Sequence, residues 1–222
     1  MTVYGIKRRF QKLWKKIKPI FDWFTSIPYR IRRNYNRKKI KSRDFSVISN
    51  NCWAGKLYQY LDMPYLSPTV GLYFFADDYL RFVRDLKYYI SLDLEFISID
   101  ESRYRDTLKE RGRVCPIGVL DDVEIVFLHY KSEQEAKEKW ERRKARINWD
   151  NLYLKFSRMN LCKEEHMKRF AELPYKNKVL FNNRKKTVYE CEVYWDGPSN
   201  DKGIILDTDP FPGNLRLSKI FN

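Results

Sequence analysis

From residue 45 onward, short apolar runs alternate with amphipathic helical patterns, and this alternation limits the possible folds more than any other feature. Runs rich in β-branched and aromatic residues predict strands at 45–49, 94–99, 123–129, 152–156 and 179–181. Apolar residues at helical spacing predict helices over 52–62, 77–90, 132–147 and 162–172. We expect residues 100–118 to be irregular and 188–194 to add an antiparallel strand. The whole pattern predicts an α/β fold, a mainly parallel sheet with helices on both faces.

Nearly all of the net positive charge of the chain comes from its first 43 residues. That segment holds 15 Lys and Arg against one acidic residue, Asp22, whereas the rest has 29 basic and 28 acidic residues. We therefore expect two parts: a basic segment over 1–43, with a linker at 30–43, and a single α/β domain over 44–222.

The basic segment is also amphipathic. Its apolar residues recur at helical spacing: Phe10, Leu13, Trp14, Ile17, Ile20, Phe21 and Phe24. A basic helix with such a face is typical of binding to an anionic membrane surface. Packing on the domain or on another subunit is an alternative. A phosphate-binding arm would have no use for so many apolar residues, so we expect no nucleic-acid partner.

Several classes of site are disfavoured by what the sequence lacks. The four cysteines form no C-x-x-C pair, and the two histidines are not at zinc-ligand spacing, so we expect no metal. Neither glycine-rich phosphate motif occurs, and we expect no cofactor. The cysteines are scattered, and the sequence has no signal-peptide pattern and no long apolar run, so we expect a cytoplasmic protein. Together with the basic segment, this predicts a location at the inner face of the cell membrane.

Reactive residue types follow the predicted strands. Because ligands bind at the carboxyl ends of parallel strands, we expect a site at that edge. Cys52 begins a predicted helix, where the dipole favours a thiolate, and His129 is a candidate base. Asn51 is a candidate oxyanion donor. The candidate substrate-binding residues are Ser49, Asn50, Trp53, Tyr130, Arg158, Asn182 and Arg184.

Each of these residues also has an ordinary structural explanation. Cys52 can be a small buried residue, and His129 can end a strand by bonding a carbonyl. The basic run 141–146 is typical of a solvated helix face, although Arg142 or Arg146 could bind phosphate.

The body of the chain resembles the uncharacterised DUF1919 family over about residues 45–183. The motifs that carry the resemblance are Phe45-Ser-Val-Ile-Ser-Asn-Asn-Cys-Trp-Ala-Gly55, Ser67-Pro-Thr-Val-Gly-Leu72, Pro116-Ile-Gly118, Phe127-Leu-His-Tyr130, Lys139-Trp-Glu-Arg-Arg143 and Asn177-Lys-Val179. Members are often labelled exopolysaccharide or capsule biosynthesis proteins of bacteria, so the resemblance implies a surface-glycan context without assigning catalytic residues.

Two functional hypotheses follow. In the first, the protein is a membrane-surface transferase or hydrolase that acts on a glycan precursor through Cys52 and His129. In the second, it binds a glycan or an activated sugar such as a nucleotide sugar without covalent chemistry, as a component of an assembly complex. The partner expected in both is a glycan or activated-sugar precursor.

Overall fold

The computed structural model describes residues 27–208 and 216–221. The chain divides into two compact units, Met1–Lys41 and Ser42–Asn222. In the first unit, residues 27–39 are helical (α1), so most of the stretch expected to act as a linker, 30–43, has a regular conformation. Arg and Lys are good helix formers, which explains the difference. The predicted apolar face over residues 10–24 lies outside the described residues.

The second unit is built on a four-stranded sheet in which every neighbouring pair is parallel, with the order β1-β5-β6-β7. Its strands are β1 (Ser46–Ser49), β5 (Leu152–Ser157), β6 (Lys178–Asn182) and β7 (Glu192–Tyr194). The predicted α/β class is thus confirmed. The antiparallel prediction for 188–194 is wrong, because residues 183–191 return the chain to the start of β6 before β7 begins.

Two predicted strands belong to a separate antiparallel sheet. Its strands are β2 (Glu95–Ile97), β3 (Ile117–Leu120) and β4 (Val123–Val126), in that order. A two-residue turn joins β3 to β4, and Asp121 there takes a left-handed φ of 53°. The region expected to be irregular contains β3 and a short helix. A third, two-stranded sheet comprises β8 (Ser199–Asn200) and β9 (Gly203–Ile204).

The helices of the second unit largely follow the predicted pattern. They are α2 (Trp53–Leu61), α3 (Ala76–Arg84), α4 (Leu86–Ser91), α5 (Arg105–Glu110), α6 (Glu133–Lys144), α7 (Glu164–Ala171) and α8 (Leu217–Ile220). The predicted helix over 77–90 breaks at Asp85, whose backbone leaves the helical region. Ser132 caps α6 by accepting a hydrogen bond from the amide of Glu135, as its capping box predicts.

Both faces of the parallel sheet are covered. On one face, Phe156 of β5 stacks on Tyr79 of α3, with ring centroids 5.4 Å apart, inside the largest apolar cluster. On the other face, Trp53 at the start of α2 meets Phe181 of β6 edge-on at 5.4 Å. Phe221, after α8, stacks on Phe45 at 4.3 Å. The second face also carries the candidate site.

Candidate functional site

A pocket of about 310 Å³ lies beside the start of α2 and contains both residues of the predicted catalytic pair. The described residues that line it are Cys52, Gly55, Lys56, Gln59, Tyr65, Val70, Gly71, His129, Tyr130, Lys139 and Arg143. Of the ten predicted site residues, the pocket includes Cys52, His129 and Tyr130. No carboxylate is among the described lining residues.

The route that brings His129 to the pocket differs from the predicted one. β4 is not a strand of the parallel sheet, so His129 does not lie at the carboxyl edge of that sheet. Instead, Tyr73 forms an antiparallel bridge with Val126, through two backbone hydrogen bonds of 2.9 Å. The amide of His129 then donates to the carbonyl of Gly71 at 3.0 Å. The loop over 70–73 therefore connects the two predicted catalytic residues.

The Cys52 thiol is held in its protonated form. Burial raises its pKa to about 11, and the nearby Asp207 carboxylate adds to that shift. The thiol also donates a weak hydrogen bond to the carbonyl of Leu72, at 3.6 Å. The start of a helix favours a thiolate by a partial charge only, and here burial and a full negative charge outweigh it. The expected thiolate is therefore disfavoured at neutral pH.

His129 is exposed, and no side chain among the described residues orients its imidazole. Within residues 27–208 and 216–221, its imidazole makes no hydrogen bond. Asp121 and Asp122, which precede β4, are two carboxylates that could orient this imidazole if their loop folded back toward it. They accept hydrogen bonds from the hydroxyls of Tyr88 and Tyr89 instead, at 2.9 and 2.6 Å. The third group that usually fixes the tautomer and direction of a catalytic base does not come from these two aspartates.

Asn51, the predicted oxyanion donor, is committed to hydrogen bonds inside the protein. Its Oδ1 accepts from the Trp53 amide at 3.1 Å, the Ser49 hydroxyl at 3.0 Å and the Lys155 ammonium at 2.9 Å. Its Nδ2 donates to both carboxylate oxygens of Asp207, at 2.8 and 2.9 Å. The side chain therefore accepts from the first amide of α2 and links the start of that helix to Lys155 of the sheet, and it offers no donor to a substrate.

The centre of this buried network is an ion pair between Lys155 and Asp207 that the sequence analysis missed. Lys155 is 0% exposed and Asp207 is 1% exposed. The Ser157 hydroxyl donates a further hydrogen bond to Asp207. Burial lowers the pKa of Lys155 to about 8. The available signal was a lysine in the middle of the apolar strand β5, where a charged side chain needs a buried partner.

The predicted substrate residues near β1 are enclosed in the protein. Ser49, Asn50 and Trp53 are all 0% exposed. The Asn50 side chain exchanges two hydrogen bonds of 3.0 Å with the backbone of Ser157, which joins the ends of β1 and β5. These three residues are not among those that line the pocket.

The remaining predicted substrate residues lie away from the pocket. Arg158 donates to the Asn183 side chain at 2.9 Å, and Asn182 donates to Glu192 at 2.5 Å. Arg184 forms an exposed ion pair with Glu164. These predicted residues lie at or just after the carboxyl ends of β5 and β6, as the sequence predicts. The pocket, however, opens beside α2 and α6 rather than across β6.

The basic wall of the pocket comes from α2 and α6. Lys56 lies one helical turn after Cys52, and Lys139 and Arg143 are one turn apart on α6. The sequence suggested Arg142 or Arg146 as phosphate ligands, whereas the structure turns Arg143 toward the pocket and buries it. The buried neighbour Trp140 could have indicated which side of α6 faces inward. No group of three or more potential metal ligands occurs among the described residues.

Comparison with known proteins places the chain in a family. The family described as "Domain of unknown function (DUF1919)" matches residues 26–208. This match is longer than the resemblance seen in the sequence, and it includes α1 and the segment that carries Asp207. An "Uncharacterized protein" of Haemophilus influenzae is 33% identical over 179 residues, which cover 80% of this chain and 81% of the relative. The chain belongs to the DUF1919 family.

Proposed function

We propose that this protein binds an activated glycan precursor in the Cys52 pocket, without covalent chemistry, as a component of bacterial exopolysaccharide or capsule biosynthesis. The observation that supports binding most directly is the composition of the pocket: two tyrosines, Tyr65 and Tyr130, beside three cations, next to a protonated thiol. Flat rings with polar tips suit the mixed surface of a sugar. The glycan context comes from the labels implied by the family resemblance.

A covalent transferase or hydrolase is the second candidate. Its support is that Cys52 and His129 line the same pocket. That reaction would require the thiol to lose its proton, and the raised pKa opposes this. His129, which no described residue orients, would have to acquire its working geometry from a bound substrate.

Complementation of a gene-deletion strain separates the two candidates. We expect Cys52→Ala to restore surface-glycan production as well as the wild-type gene does, with Cys115→Ala as the matched control. A null phenotype for both Cys52→Ala and Cys52→Ser, with normal protein levels, would favour covalent catalysis. Failure of the deletion itself to alter surface glycan would remove the proposed context.

We also propose that the basic N-terminal segment holds the protein on the anionic inner face of the cell membrane. No helix among residues 27–208 and 216–221 is long and apolar enough to cross a bilayer. In α1, Ile31 and Tyr35 are one turn apart and 64% and 58% exposed, within a strongly basic sequence. Apolar side chains flanked by Arg and Lys suit the headgroup region of an anionic bilayer.

Vesicle sedimentation tests the membrane proposal. We expect the full chain to bind phosphatidylglycerol vesicles, to bind neutral phosphatidylcholine vesicles much less, and to dissociate as salt increases. Removal of residues 1–43 should abolish binding. Equal binding by the truncated chain would show that this segment has another use, such as contact with a partner subunit.

A further inference from the structure

We propose that the Cys52 pocket contains a phosphoryl-binding subsite formed by Arg143 and Lys56, with Lys139 at its edge. The ligand class is a sugar phosphate, and this identification of the sugar part rests on the proposed function. The phosphoryl part rests on the charge and hydrogen bonding of the pocket itself.

Arg143 is the main element of the subsite because it is buried and has no counter-ion among the described residues. It is 7% exposed, and no carboxylate in the described part of the chain lies within 4.0 Å of it. Its guanidinium lies over the Tyr65 ring at 4.9 Å, a contact that fixes its plane. A buried guanidinium in such a position is stabilised by any anion that enters the pocket.

Only Nη1 of Arg143 has hydrogen-bond partners among the described residues. Nη1 donates to the carbonyl of Val70 at 3.2 Å and to the Tyr130 hydroxyl at 2.5 Å. Nε and Nη2 have no hydrogen-bond partner among residues 27–208 and 216–221. Two donors on one edge of a guanidinium match two oxygens of a phosphoryl group.

The two lysines contribute unequally. Lys56 is exposed on α2, forms no ion pair with any described residue, and lies close enough to Cys52 to favour its thiolate. Lys139 is already paired with Glu135 on α6. Two cations that have no carboxylate partner in the described part of the chain, Lys56 and Arg143, therefore face the pocket. A phosphate monoester, with a charge of about −1.5 to −2, balances them better than a single carboxylate does.

The size of the pocket narrows the ligand class further. Its volume of about 310 Å³ is at the lower end of the range for small-molecule sites. A phosphorylated monosaccharide suits that volume better than a complete nucleotide sugar does. Tyr65 and Gln59 are hydrogen-bonded to each other at 2.8 Å and present polar atoms beside the phosphoryl position.

Isothermal titration of the full chain at neutral pH and low salt tests the subsite. The probes are inorganic phosphate, glucose 1-phosphate, glucose and glucuronate. We expect both phosphate-bearing probes to bind, with glucuronate at least about tenfold weaker. We expect Lys56→Gln and Arg143→Lys each to weaken phosphate binding by about tenfold or more, and Lys139→Gln to have a smaller effect.

The matched control is Lys168→Gln, which removes an exposed lysine of α7 that is paired with Glu172. It should leave the affinity for phosphate unchanged. Since Arg143 also holds Val70 and Tyr130, its variant must first show a wild-type thermal melt. Lys56 is exposed, and its variant keeps the test decisive if Arg143→Lys fails to fold.

The outcomes separate this inference from the proposed function. Binding of glucose and glucose 1-phosphate with equal affinity would overturn the phosphoryl subsite and leave glycan binding intact. Equal affinity for inorganic phosphate and glucose 1-phosphate would support the subsite and count against a sugar ligand. No heat from either phosphate-bearing probe, or an unchanged affinity in Lys56→Gln, would overturn the subsite.

Discussion

The buried ion pair between Lys155 and Asp207 gives the most quantitative prediction. In Asp207→Ala, the Lys155 ammonium keeps one hydrogen-bond partner among the described residues, the Asn51 amide oxygen, and lies beside the rings of Trp53 and Phe181 at 5.5 and 5.2 Å. Removal of one partner of a buried pair costs about 3–5 kcal/mol. This loss of stability has an upper limit, because Lys155 can release its proton and become neutral.

That limit follows from the ordinary lysine pKa of 10.5. Neutralising Lys155 costs about 1.4 kcal/mol for each pH unit below this value, or about 5 kcal/mol at pH 7. At a pH above the pKa of Lys155 in the native variant, the unfolded variant still holds a proton on this lysine that the native variant has released. The free energy of unfolding of Asp207→Ala must therefore rise with pH, by up to about 1.4 kcal/mol per unit, until pH approaches 10.5.

Urea unfolding followed by circular dichroism at pH 7, 8 and 9 measures both effects. We expect a destabilisation of about 3–5 kcal/mol at pH 7, which lowers Tm by about 6–20 °C for a chain of this size, and partial recovery at pH 9. The double variant Lys155→Met with Asp207→Ala should lose the pH slope. The control is Asp201→Ala, an exposed carboxylate in the same segment. The same slope in the double variant, or a loss below about 1 kcal/mol, would refute the reasoning.

Three further predictions test the site and its supports. Iodoacetamide should label Cys52 slowly at pH 7 and progressively faster up to and beyond pH 9, because the pKa of its thiol is about 11. Mass spectrometry measures the labelling rate, and rapid labelling at pH 7 would contradict a protonated thiol. Burial raises the pKa of Asp78 to about 6, so the native state holds this proton more strongly than the unfolded state; wild-type stability in urea should fall relative to Asp78→Asn as pH rises from 4 to 6. Gly203→Ala places a Cβ 2.3 Å from the Arg158 carbonyl at a φ of +136° and should lower Tm by several degrees, whereas Gly112→Ala, also at positive φ but in open space, should lower it less.

The elements that could be predicted are those with a strong local pattern. β1, β5 and β6 and the helices α2, α6 and α7 match their predicted positions closely, because apolar periodicity reports which face of an element is buried. The pairing of β3 with β4 could not be predicted in this way. Their turn, Asp121-Asp122, lacks the glycine that usually marks a two-residue hairpin, and an aspartate takes the left-handed conformation instead.

Cys52 and His129 line one pocket by a route that differs from the predicted one. Cys52 and His129 were expected to meet because both follow strands of one sheet. They line one pocket because Tyr73 bridges Val126 and Gly71 bonds His129, contacts that involve a loop and a different sheet. Both residues have polar side chains next to apolar strands, and that local signal is sufficient to find them. Their relative position depends on tertiary contacts that no local pattern contains.

The protonation state of Cys52 illustrates the same limit in terms of chemistry. The helix start after Cys52 is visible in the sequence, and it contributes a partial positive charge of about half a unit. The opposing carboxylate, Asp207, is 156 residues from Asn51, the side chain that it binds. Burial is the larger cause of the raised pKa of Cys52 and the Asp207 carboxylate is the second, so contacts with residues distant in the sequence set the protonation state of the thiol. Arg143 lines the same pocket and has no carboxylate partner among the described residues, and this combination of a protonated thiol and a buried cation favours ligand binding over nucleophilic catalysis.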